Sequence, residues 1–124
     1  RVAPFSALAL THLDGLEVPR THFGVGSGEV LDLMAQVGVD AVGVDWRIPL
    51  HEASRRLGHR VPVQGNIDPA VLAAPWPVIQ AHVEQVLESG KAAPAHVVNL
   101  GHGVPPETDP DVLTRIVSLV HGEQ

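Results

Sequence analysis

Four short apolar segments alternate with segments of helical periodicity along this chain of 124 residues, and no other feature constrains its fold as strongly. The predicted strands are residues 20–25, 39–45, 60–64 and 96–100. The predicted helices are residues 4–12, 28–37, 49–57, 77–88 and 110–121. Strict alternation implies right-handed crossover connections and a parallel sheet. The expected fold class is therefore α/β, with four β/α units that amount to half of an eight-stranded barrel.

Short polar residues and glycines mark the expected ends of these helices. Ser27, Asp68 and Asp109 stand where N-caps are expected, because their side-chain oxygens can accept hydrogen bonds from the free N–H groups of a first helical turn. Glycines follow the helices at positions 38, 58, 90 and 122, where they favour termination. Each predicted helix after the first strand thus has a stop signal of its own.

Composition narrows the classes of protein that this chain can belong to. The 44% hydrophobic content comes mainly from Val, Leu and Ala, with 3% aromatics, which favours buried parallel strands covered by helices. The net charge of -6 argues against a nucleic acid or an anionic membrane as partner. There is no cysteine, no apolar run near the ~20 residues of a membrane span and no signal-peptide pattern. We therefore expect a soluble, cytoplasmic protein.

Polar residues and glycines gather at the carboxyl ends of the predicted strands, where β/α proteins build their sites. The clearest case is His102, which lies between Gly101 and Gly103 after the fourth strand. The glycines leave the imidazole as the only side chain at that point, and an imidazole can donate a hydrogen bond to a carboxylate or relay a proton near neutral pH. His102 is the candidate catalytic and substrate-binding residue.

Other polar residues at the strand ends have two interpretations each. Asp45 is either a general base or metal ligand, or an ion-pair anchor beside Arg47. Asn66 and Asp68 either reach a substrate or serve the local structure, Asp68 as a helix cap. His22 is a candidate for the barrel interior. These residues lack a compact ligand spacing, so we expect no metal site.

Several motifs, in order and spacing, resemble the uroporphyrinogen decarboxylase family from about residue 15 to 121. The combination is specific, although each motif alone is weak. The motifs are His22-Phe23-Gly24-Val25-Gly26, Val42-Gly43-Val44-Asp45-Trp46, Gln64-Gly65-Asn66-Ile67-Asp68-Pro69 and Asn99-Leu100-Gly101-His102-Gly103 followed by Thr108-Asp109-Pro110.

The resemblance implies a (β/α)8 TIM barrel about three times as long, with residues 1–124 forming the C-terminal half-barrel of a single decarboxylase domain. It implies decarboxylation of the four acetate arms of uroporphyrinogen III to methyl groups, giving coproporphyrinogen III and CO2 without metal or organic cofactor. A tetrapyrrole is the expected partner, and the full-length enzyme is expected to be a homodimer. The family's pyrrole-binding aspartate and carboxylate-binding arginines would lie upstream, and only His102 has a substrate-contacting counterpart here. The start at Arg1 rather than Met, close before the first predicted helix, also leads us to expect a missing upstream part.

Two alternatives remain open. Corrinoid-linked methyltransferases resemble this fold, but they hold zinc with Cys and His, and zinc analysis would distinguish them. The second alternative is that the chain by itself is a non-catalytic half-barrel. Such a fragment is expected to self-associate through unpaired sheet edges and through barrel-facing side chains left uncovered. The side chains predicted to be uncovered are those of Val42, Val44, Val61 and Val63.

Overall fold

The computed structural model describes residues 2–122, which form five α-helices and four strands. In chain order these are α1 (Ala3–Thr11), β1 (Thr21–Phe23), α2 (Leu31–Ala35), β2 (Ala41–Gly43), α3 (Leu50–Arg56), β3 (Val63–Ile67), α4 (Trp76–Gly90), β4 (His96–Leu100) and α5 (Pro110–His121). Short 3₁₀ turns, Gly28–Val30 and Pro69–Ala73, precede α2 and α4. All neighbouring strands are parallel, in the order β1-β2-β3-β4. The α/β class and the parallel sheet of four β/α units are confirmed.

One face of the sheet is buried beneath the helices. Val42 pairs with Val63, and both side chains are fully buried, as is Val44. Val61 is partly buried against the same core. The prediction that these valines face the barrel interior is therefore wrong. A period of two identifies two faces of a strand, but it does not say which face the helices cover.

The opposite face of the sheet is open among the described residues, and it carries few large apolar groups. Phe23 and Val97 are 44% and 53% exposed, and both lie in register with the β2–β3 pair Gly43 and Gln64. Asn99 on β4 is also exposed. The uncovered apolar surface of the sheet therefore consists of Phe23 and Val97.

His22 lies on the helix side of the sheet, since it pairs in register with the buried Val42. The prediction that it faces the barrel interior is wrong for the same reason as for the valines. Its side chain borders an apolar cavity of about 350 Å³ between α1 and α2. Nδ1 of His22 is buried there and has no hydrogen-bond partner among the described residues.

The core between sheet and helices is aliphatic. It takes residues from every strand-following helix but none from α1. Helix α5 contributes Ile116 to this core, whereas the neighbouring Val117 is 54% exposed. The fully or nearly buried residues are Leu31, Met34, Val37, Val42, Val44, Leu50, Ala53, Leu57, Val63, Ile67, Leu72, Ile79, Val83, Val86 and Ile116.

The helix ends confirm most of the capping predictions. Asp68 accepts a hydrogen bond from Ala70 N at 2.9 Å, and Asp109 accepts one from Asp111 N at 3.0 Å. Gly122 ends α5 with φ of +71°. Ser27 does not cap a helix, because its hydroxyl donates to the Gly24 carbonyl at 2.5 Å instead. Gly90 is the last residue of α4 rather than a stop beyond it.

Strand β3 continues to Ile67, past the predicted end at residue 64. Gly65, Asn66 and Ile67 pair in register with the last three residues of β4, so sheet pairing overrides the turn preference of Gly and Asn. Gly65 allows this path, because its φ is +130° and a Cβ there would lie 2.4 Å from the Val44 carbonyl oxygen. The strand can follow this course only with glycine at this position.

We predict that Gly65→Ala lowers the free energy of unfolding of the chain by roughly 2–4 kcal/mol, because steric overlap with backbone adds to an unfavourable φ. Gly38→Ala is the matched control, since Gly38 has φ of +86° but open space at Cβ. Gly38→Ala therefore measures the cost of the positive φ alone, about 1–2 kcal/mol in the free energy of unfolding. Urea unfolding followed by circular dichroism measures both, and equal losses would contradict the predicted contact with Val44.

Candidate active site

The loops that follow the four strands meet at the carboxyl edge of the sheet. The loop after β1 contacts the loop after β2 through Gly26 and Asp45. Asn66 of β3 also bonds to the loop after β2. Gly101, directly after β4, donates its N–H to the Ile67 carbonyl at 2.7 Å. The predicted strand-end residues therefore come together in one place, as parallel topology requires.

Asp45 is an almost fully buried carboxylate, 3% exposed. It accepts hydrogen bonds from Gly26 N at 2.5 Å, from Arg47 N at 3.1 Å and from Arg47 Nη1 at 2.7 Å. Burial opposes ionisation, but the Gly26 hydrogen bond and the contacts from Arg47 outweigh it and lower the pKa of Asp45 below its usual value. Of its two interpretations, the geometry supports the ion-pair anchor.

Asn66 and Asp68 are committed to local structure. The buried Asn66 donates through Nδ2 to the Asp45 carbonyl at 2.9 Å and to the Ile48 carbonyl at 2.6 Å. Asp68 caps the turn that follows β3. Both side chains use their polar atoms to shape the edge, so the structural interpretation holds for each.

His102 is exposed at this edge, and its ring meets Trp46 edge-to-face. The ring centroids are 6.1 Å apart and the planes are 87° apart. This arrangement is a favoured aromatic geometry, and it is compatible with the exposure of His102. The structure places His102 where the sequence predicts it, whereas its role in catalysis and substrate binding stays a prediction.

The two glycines beside His102 have different functions. A Cβ on Gly101 would lie 2.6 Å from Trp46 N, so only glycine lets the two loops approach this closely. Gly103 has no atom within 4 Å of its Cβ position. Gly101 therefore sets the position of His102 against Trp46, and Gly103 does not.

Sequence reasoning missed Trp46 and Arg47 as site residues. The guanidinium carbon of Arg47 lies 4.3 Å from the Trp46 ring centroid, and its side chain is 50% exposed. Trp46 thus contacts a cation and His102 at once. The available signal was the run Asp45-Trp46-Arg47 at a strand end, in which the sequence alone assigns Arg47 no role beyond an ion pair with Asp45.

Among residues 2–122, no three His, Asp or Glu side chains lie in a group that could hold a metal ion. No helix in that part of the chain is both long and apolar enough to cross a membrane.

A sheet of four parallel β/α units in chain order is consistent with part of a TIM barrel, a class of protein whose active sites lie at the carboxyl edge of the sheet. The family model for uroporphyrinogen decarboxylase (URO-D) matches residues 1–123. Proteins named uroporphyrinogen decarboxylase from Arthrobacter sp. (strain FB24), Salinispora tropica and Leifsonia xyli subsp. xyli are 64%, 60% and 58% identical over 97% of this chain. The chain belongs to the uroporphyrinogen decarboxylase family. It spans about a third of these relatives, 35%, 32% and 36% of their lengths.

We predict that Gly101→Ala destabilises the chain by roughly 2–4 kcal/mol and shifts the His102 ring resonances, because its Cβ would push the two loops apart. Gly103→Ala is the control, and its effect should stay within about 0.5 kcal/mol. Urea unfolding and NMR of the histidine ring protons measure the two effects. Unchanged His102 resonances in Gly101→Ala would contradict the role assigned to Gly101.

Proposed function

We propose that the complete protein carrying this chain decarboxylates the four acetate arms of uroporphyrinogen III, giving coproporphyrinogen III and CO2. The proposal rests on one observation above all: a chain of this family presents an exposed imidazole at the carboxyl edge of its parallel sheet. That edge is where barrels of this kind build active sites. The corresponding domain is a single (β/α)8 barrel, of which residues 1–124 form the C-terminal half.

The chemistry requires an electron sink next to each acetate arm. Protonation of the pyrrole makes the ring an acceptor for the electron pair of the C–C bond that breaks as CO2 leaves. The methylene carbon then takes a proton and becomes a methyl group, and loss of the proton first added to the ring restores the pyrrole. None of these steps needs a metal or an organic cofactor.

His102 serves this reaction as a hydrogen-bond donor to a substrate carboxylate or as a proton relay. Both roles need an imidazole that substrate can reach, and the exposure of His102 at the carboxyl edge supports this. The residues that bind the pyrrole belong to the part of the enzyme outside this chain. The chain alone is therefore proposed to be inactive, as a non-catalytic half-barrel.

Location and assembly follow from the same proposal. We propose that the complete protein is a cytoplasmic homodimer. The absence of cysteine in this chain is compatible with a reducing compartment, and a homodimer is what the family resemblance implies.

We predict that His102→Asn in the complete protein lowers kcat/KM for uroporphyrinogen by about ten- to a hundredfold, because a hydrogen bond to a charged group is worth roughly 1.5–3 kcal/mol. The melting temperature should change little, since His102 is exposed. His12→Asn is the control, because His12 is an exposed residue at the end of α1. A lower melting temperature with unchanged kinetics would remove His102 from the site, and sustained turnover by the chain alone would contradict its proposed inactivity.

We also predict that the chain by itself self-associates, because Phe23 and Val97 are exposed on the open sheet face and β1 and β4 are edge strands. Static light scattering at micromolar concentration should show species larger than a monomer. Val97→Ser should reduce association, whereas Val78→Ser on α4, where Val78 is 51% exposed, should not. A monodisperse monomer would contradict this prediction.

A further inference from the structure

Arg47 is a cation at the carboxyl edge of the sheet for which the proposed function has no role. Its side chain is half exposed and lies against the same tryptophan as His102. We propose, resting on the proposed function, that the Arg47 guanidinium binds a carboxylate arm of the tetrapyrrole. Arg47 and His102 would then be two anion-binding groups arranged around Trp46.

The orientation of Arg47 is fixed before any ligand arrives. Nη1 donates to the buried Asp45 carboxylate at 2.7 Å, and the guanidinium lies 4.3 Å from the Trp46 ring centroid. A long side chain held by two different contacts loses less conformational freedom on binding than a free one. This preorganisation is what a binding residue needs, and a purely solvated surface arginine lacks it.

The guanidinium keeps donors available for a ligand. Within residues 2–122, Arg47 makes one side-chain hydrogen bond, from Nη1 to Asp45. Neither Nε nor Nη2 has a partner there. The Nε and Nη2 hydrogens point to the same side of the fork, which matches the two oxygens of a carboxylate. A bidentate contact is therefore possible without breaking the Asp45 ion pair.

Asp45 occupies only one nitrogen of the guanidinium, Nη1, so Arg47 is still able to donate to a ligand anion. The carboxylate is also stabilised by the N–H groups of Gly26 and Arg47 itself, so the guanidinium supplies only one of its three hydrogen bonds. By contrast, Arg55 and Arg56 both bind Glu52 in α3, at 2.7 Å each. Arg47 is thus the arginine that the carboxyl edge presents with unused donors among the described residues.

There is room for a carboxylate beside Arg47. Trp46 and Arg47 line a cavity of about 320 Å³, which Asn66 and His82 also border. Arg47 is already counted in the net charge of -6, so it attracts a substrate carboxylate locally, through its own donors. The site thus combines space, a fixed fork and the required charge.

The test compares Arg47→Gln and Arg47→Lys in the complete protein, with Arg115→Gln as matched control. Arg115 also stacks on a tryptophan, Trp76 at 3.9 Å, but in the helix layer between α4 and α5. We expect Arg47→Gln to raise KM for uroporphyrinogen by about ten- to a hundredfold and to weaken the dependence of KM on ionic strength. Arg47→Lys should have a smaller effect on KM, and Arg115→Gln should leave both quantities unchanged.

The outcome that overturns the inference is a lower melting temperature for Arg47→Gln with wild-type KM and wild-type salt dependence. Binding of uroporphyrin, measured by its fluorescence anisotropy, separates this inference from the proposed function. A wild-type protein that binds uroporphyrin without turnover contradicts the proposed function, and weaker binding by Arg47→Gln then still supports the Arg47 contact. A wild-type protein that binds no uroporphyrin overturns the inference as well.

Discussion

The carboxyl edge of the sheet depends on one buried anion, the side chain of Asp45. Its carboxylate accepts hydrogen bonds from Gly26 N, in the loop after β1, and from the backbone N and Nη1 of Arg47 in its own loop. Its carbonyl receives Nδ2 of Asn66 from β3. Trp46, the next residue, contacts the loop after β4 at Gly101 and His102. Two adjacent residues therefore connect the ends of all four strands.

This arrangement ties the geometry of the site to an ionisation state. A buried carboxylate is stable only when hydrogen bonds replace its lost hydration, and here they more than do so, since the pKa of Asp45 is lowered. The contribution of Asp45 to stability is present above the unfolded pKa of about 3.9 and is lost as the pH falls through the lower, folded value. At neutral pH the anion, its partner Arg47 and the position of Trp46 are all maintained.

Local sequence chemistry predicts the elements of this fold better than their orientation. Alternating apolar segments predict the parallel sheet. Of the three predicted N-caps, the two aspartates, Asp68 and Asp109, are confirmed. The same patterns assign Val42 and Val63 to the barrel-facing side of the sheet, which is wrong, because strand periodicity does not show which face the helices cover. They also end β3 too early, because pairing with β4 is not visible in Gly65 and Asn66 themselves.

The residues of the candidate site also differ in how far local sequence predicts them. His102 is predictable because glycines on both sides of a polar residue at a strand end are a local signal. The direction of the Arg47 fork depends on the Trp46 ring and on the Asp45 carboxylate, and the latter is oriented by Gly26 from a different loop. Only the folded chain brings these groups together, so the sequence predicts the ion pair between Asp45 and Arg47 but not the unused donors of the guanidinium.

The most direct test of this account is an NMR titration of the Asp45 carboxyl carbon in the folded chain, followed together with the Gly26 amide. The account predicts a pKa for Asp45 below its usual value, and a Gly26 amide resonance that shifts with the same midpoint because its N–H donates to that carboxylate. A pKa for Asp45 at or above its usual value, with a Gly26 amide that does not respond, would contradict the account.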